Sequence, residues 1–169
     1  MSTHSPTRVR WSPPPPNSLK VNFDGETFKD IGKVGLGVVV CESQGQALGL
    51  RSEGVPLPFS SDLVEALAAV RAISFALEIG CLSFILEGDS ERVINTFSSN
   101  EDSFSPFGHI LDSAKALTES GCISFSHVRR LGNSVAHNLT KHFRHVSGYS
   151  VWMEDVPPHL YSILLADVG

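Results

Sequence analysis

A chain of 169 residues with net charge −5, 41% hydrophobic and 18% charged residues, fits one globular domain that buries its own core. That balance excludes a disordered chain, and no apolar run reaches the ~18 residues of a spanning helix. Cys41, Cys81 and Cys122 are odd in number, far apart and without CxxC spacing. They read as free thiols in a reducing, nuclear or cytoplasmic compartment and exclude a disulfide scaffold.

Residues 1–18 carry the run Pro13 to Pro16 and no apolar h-region, which predicts no secretory signal and favours a polyproline arm over the organelle transit peptide that Arg8 and Arg10 faintly suggest. Val21 and Phe23 alternate with Lys20, Asn22 and Asp24 as in a strand ending at Asp24. Gly25 to Lys33 reads as a polar loop. The valine-rich run Gly35 to Cys41 reads as a strand buried on both faces. Ser43-Gln44-Gly45 is a turn and Ala47 to Gly54 a third strand, so short links make an antiparallel meander. From Ser61 to Ile79 the period becomes helical, with Ala66, Val70, Ile73 and Leu77 on one stripe and Gly80 at C′.

Leu82 to Leu86 reads as a fourth strand, and a short helix follows from Ser90 to Phe97. Pro106 and Gly121 bound another helix. Cys122 to Val128 alternates as a fifth strand, and Asn133 caps a last helix that turns Val135, Ala136, Leu139 and Phe143 inward. The predicted fold is α/β: a five-stranded mixed sheet, three antiparallel strands then two parallel ones, flanked by helices. The domain spans 19–146, between the arm and a C-terminal extension, 147–169.

This topology gathers four side chains at the carboxyl edge of the parallel strands, where open α/β sheets place their sites. Asp24 ends strand one, Asp89 follows strand four, and Glu65 and His137 lie near the starts of two helices. Three carboxylates and an imidazole suit Mg²⁺ or Mn²⁺. Singly, each has a structural role: Asp24-Gly25 as a turn, Asp62-x-x-Glu65 as a capping box, Asp89 as an N-cap. Their joint placement carries the site. From Ser120 to Met153 no acidic residue occurs, while Arg129, Arg130, Lys141 and Arg144 do, a local basic stretch able to hold a phosphate backbone. His137, His142 and His145 lack the cysteine pair or HExxH of a zinc site, and no Walker A, GxGxxG or GxSxG motif occurs.

Lys20-Val21-Asn22-Phe23-Asp24-Gly25, Gly35-Leu36-Gly37-Val38-Val39, Glu65-Ala66-Leu67-Ala68-Ala69 and Leu86-Glu87-Gly88-Asp89-Ser90, in that order, resemble type 1 ribonuclease H domains. Val128-Arg129-Arg130, Asn133-Ser134-Val135-Ala136-His137-Asn138-Leu139 and the tail from Val151 to Pro158 resemble the plant, retroelement-derived branch of that family. The likeness runs from Leu19 to Val146. It implies a ribonuclease H-like fold and endonucleolytic cleavage of the RNA strand of RNA–DNA hybrids. It further implies a site for two Mg²⁺ or Mn²⁺ ions, about 4 Å apart, with Asp24, Glu65 and Asp89 on three of the family's four carboxylate positions. Asn22, Arg129, Arg130, Asn133 and Lys141 are the implied contacts to the hybrid, read by shape and 2′-hydroxyls.

Two departures stand out. The fourth carboxylate position holds His137, and the family's Gly-His loop is shortened to Arg129-Arg130-Leu131-Gly132. An imidazole removes one negative charge and is a softer ligand. The expectation is a weakened, monomeric nuclease that prefers Mn²⁺ and loses activity when His137 is protonated. The alternative is a module that keeps the fold and grips nucleic acid or a protein partner without cutting.

Overall fold

The computed structural model describes residues 12–56, 61–98, 112, 115–116, 122–142 and 149–153. In chain order the elements are β1 (Leu19–Phe28), β2 (Lys33–Glu42), β3 (Ala47–Pro56), α1 (Ser61–Glu78), β4 (Ser83–Gly88), α2 (Glu91–Ser98), β5 (Cys122–His127), α3 (Ser134–His142) and β6 (Tyr149–Met153). The helix expected between Pro106 and Gly121 falls largely outside the described residues. Among those residues, no helix is long and apolar enough to cross a membrane.

The sheet order is β5-β4-β1-β2-β3-β6. β1, β2 and β3 form the expected antiparallel meander, and β4 and β5 run parallel to β1 and to each other. The sheet has six strands, not five, because Tyr149–Met153 pairs antiparallel with β3. Its alternation is faint, since Val151 and Met153 are apolar yet exposed, while Trp152 turns inward against the cluster around Leu50. Pairing with β3, rather than a local pattern, makes this segment a strand.

β1 also runs further than expected. Residues 25–28 are no loop, because they continue the ladder with β2 from Gly25↔Leu36 to Phe28↔Lys33. The chain then reverses through a single 3-10 turn, Lys29–Ile31.

Alternation along β1 and β2 splits the core into two layers. Val21, Phe23, Leu36, Val38 and Val40 meet the alanine-rich face of α1, with Phe84, Leu86 and the buried Val93, Ile94 and Phe97 of α2. Small side chains at Ala66, Ala69, Ala72 and Ala76 let that helix lie close to the sheet, and Ile73 fills the space between. Val39, Cys41, Ala47 and Leu50 face the other way, against Val135, Ala136 and Leu139 of α3. The valine run of β2 is therefore buried on both sides, as its composition predicts.

Helix α3 rests on Gly37. A Cβ there would overlap the Ala136 carbonyl oxygen and come within 2.9 Å of Leu139 Cβ. Gly37→Ala is expected to lower stability by about 1–3 kcal/mol in a urea melt, because backbone atoms cannot give way as a flexible side chain would.

Candidate active site

The parallel register of β1 and β4, ending at Phe23↔Gly88, brings the residues that follow, Asp24 and Asp89, to one edge. Asp24 lies inside the ladder rather than in a turn, and it is 1% exposed. Asp89 does not cap α2: Ser90 Oγ accepts the hydrogen bond from the Val93 N–H at 3.4 Å. Glu65, from the first turns of α1, accepts a hydrogen bond from the Gly25 backbone N–H. A Cβ on Gly25 would stand 2.7 Å from Val64 Cγ1, so glycine here lets the start of α1 approach the strand. One ligand oxygen from each of Asp24, Glu65 and Asp89 falls within a 4.8 Å cluster.

His137 reaches the same place from α3, on the opposite layer. Its Nδ1 is 2.9 Å from Asp24 Oδ2 and 3.7 Å from Glu26 Oε2. All four residues expected from the sequence thus meet at one edge. Glu26 is the neighbour that sequence reading passed over, because residues 25–33 read as a loop. The signal was present: Asn22, Asp24 and Glu26 share the period of a strand that continues.

The carboxylates repel one another in a space short of water. Burial pushes the Asp24 carboxyl above its ordinary range; the His137 hydrogen bond opposes this, and nearby Asp89 adds to it. Burial, then the charges of Asp24 and Asp89, push Glu65 up to about 9, against the pull of the Gly25 N–H. Asp24 Oδ1 and Glu65 Oε2 are buried and have no hydrogen-bond partner. Buried oxygens are seldom left so. Crowded carboxyl oxygens, two of them without donors, fit a hard divalent cation, which Asp24, Glu65 and Asp89 would hold in their ionised forms.

Arg129, Arg130 and Lys141 are exposed. Arg130 lies beside the carboxylates, its Nε 3.7 Å from Asp89 Oδ2 with two thirds of its side chain open to solvent. Lys141 is one helical turn beyond His137, on the same side of α3.

Asn22 and Asn133 require a correction, since both are 1% exposed. Asn22 Nδ2 donates to Glu87 Oε2 (2.9 Å) and to Asn133 Oδ1 (3.0 Å), and Asn133 Nδ2 donates to the Phe23 carbonyl (2.8 Å). Asn133 spends its amide on β1 instead of capping α3. The pair ties the start of α3 to β1 and so positions His137 against Asp24. Glu87 anchors the same layer, accepting from Ser126 Oγ at 3.0 Å and facing Lys20 Nζ at 3.4 Å.

The family model described as reverse transcriptase-like matches residues 22–143. No curated protein matches the chain. Among solved structures, RNase H1 from the halophilic archaeon Halobacterium salinarum NRC-1 has 22% identity and a TM-score of 0.68, covering 76% of this chain and 98% of that one. The N-terminal RNase H domain of a Mycobacterium tuberculosis protein, solved as a fusion with maltose-binding protein, has 19% identity and a TM-score of 0.66, covering 74% and 91%. LC11-RNase H1, solved in complex with an RNA/DNA hybrid, has 18% identity and a TM-score of 0.66, covering 74% and 95%. At such identities the likeness is one of fold.

Proposed function

The chain belongs to the reverse transcriptase-like family, of ribonuclease H-like fold, and from that premise we propose that it cleaves the RNA strand of RNA–DNA hybrids with the aid of divalent metal. The observation that carries this reading is the cluster of Asp24, Glu65 and Asp89, with buried, partnerless oxygens at the carboxyl edge of parallel strands. Those three residues would hold Mg²⁺ or Mn²⁺. When bound there, such an ion supplies Lewis acidity to an attacking water and to the leaving 3′ oxygen.

The rest of the work falls to groups of the chain. Asp24 stands in the β1–β2 ladder one residue past the end of the β1–β4 ladder, so the sheet fixes the backbone from which its carboxylate projects. Gly25 N–H aims the Glu65 carboxylate. The His137 ring holds Asp24 Oδ2. The Arg130 guanidinium, open to solvent beside Asp89, can meet a phosphate of the RNA strand, with Arg129 and Lys141 further along the backbone. These contacts carry no base information, which suits an enzyme that reads hybrid shape and 2′-hydroxyls.

The test is incubation of purified protein with a hybrid labelled on each strand in turn, in Mg²⁺ and in Mn²⁺. Shortening of the RNA strand alone, faster in Mn²⁺, is the expected result. A hybrid retained but uncut in both ions would assign a binding module in place of the nuclease.

A further inference from the structure

We propose that Glu26 is a functional carboxylate of this site: with Asp24 and His137 it forms a second cation site and supplies the negative charge that an imidazole at position 137 withholds. The proposal rests on the nuclease reading above and deepens it.

The geometry follows from β1 staying in the sheet as far as Phe28. Asp24 and Glu26 are two residues apart, so both side chains leave on the α3 face. Their cross-strand partners on that face are Gly37 and Gly35, neither of which carries a side chain. Without side chains there, α3 lies directly on Gly37 and sets His137 beside Asp24 and Glu26. Ligand atoms of Asp24, Glu26 and His137 fall within 4.8 Å of one another.

Two observations beyond proximity point to a ligand. Asp24 is 1% exposed, and with Oδ2 taken by His137 its Oδ1 has no partner. Glu26 keeps 31% of its side chain open to solvent, yet its Oε2 is shielded and without a hydrogen-bond partner. An exposed glutamate that merely solvated itself would turn both oxygens to water. This one turns an oxygen toward Asp24 and His137.

The chemistry of the set is specific. Asp24, Glu65, Asp89 and Glu26 together restore four carboxylates around the site. Two hard carboxylate oxygens joined by one borderline imidazole nitrogen suit Mn²⁺ better than Mg²⁺, which prefers oxygen and retained water.

The decisive experiment is Mn²⁺ titration of the full chain, by calorimetry and by electron paramagnetic resonance of free Mn²⁺, with circular dichroism of each variant. Wild type should bind two ions. Glu26→Gln should keep one and weaken the other by at least about tenfold, Glu26→Asp should recover part of that loss, and Asp89→Asn should weaken the ion that Glu26→Gln spares. Two ions bound as in wild type by folded Glu26→Gln would overturn the role of Glu26. So would a single wild-type ion sensitive to Asp89→Asn alone, which leaves the Asp24, Glu65 and Asp89 reading standing. Failure of wild type to bind Mn²⁺ would remove both.

Discussion

Asp24→Asn is expected to lower cleavage of an RNA–DNA hybrid by at least about a thousandfold while leaving the protein folded. Asp24 belongs to both clusters of candidate ligands, so one change removes charge from each. The amide matches the carboxylate in size, and its oxygen can still accept from His137 Nδ1, which lies 2.9 Å from Asp24 Oδ2. Burial already disfavours the charged form of Asp24, so the neutral amide relieves a cost in the metal-free protein. The melting temperature without metal should therefore hold or rise as activity disappears. Strand-specific gels and a thermal melt on the same preparation check the two halves. Undiminished cleavage by the folded variant would exclude this cluster as the catalytic centre.

The second large effect is on stability. Without divalent metal, the protein should lose stability as pH rises from about 4.5 toward about 9. Between those values the folded Glu65 carboxyl keeps a proton that the unfolded chain has released. Unfolding then sheds protons, and its free energy falls as pH rises. The cost is absent below the unfolded value and complete above the folded one. Asp24, raised for the same reason, contributes with the same sign. A drop on the order of a few kcal/mol is expected, or roughly 2–4 °C in melting temperature per kcal/mol.

Glu65→Gln should flatten that profile by removing the titrating group. Mg²⁺ or Mn²⁺ should oppose the loss, because binding requires ionised carboxylates and so strengthens as pH rises. Calorimetry in buffers of different ionisation enthalpy would count the protons released. A melting temperature independent of pH across this window, in chelator, would contradict the crowded-carboxylate account.

Local pattern alone determined much of this protein. The alternation around Val21 and Phe23, the valine run of β2, the stripe through Ala66 and Ile73, and the strand at Ile123 and Phe125 each declare their element, because a buried face must repeat with the period of its backbone. Helical crossovers then make the later strands parallel, and once β1 and β4 are neighbours Asp24, Glu65, Asp89 and His137 fall at one edge.

Other features belong to the assembled sheet. Residues 25–28 became strand because β2 offered a continuing ladder, and that alone turned Glu26 toward His137. Tyr149–Met153 became an edge strand because β3 was left with an open side. Asn22 and Asn133, polar in sequence and expected to touch nucleic acid, spend their amides on Glu87, on each other and on the Phe23 carbonyl. Periodicity records which face of a segment is buried. Where a strand stops, and which polar group meets which, depends on partners tens of residues away, so only the tertiary structure could decide it.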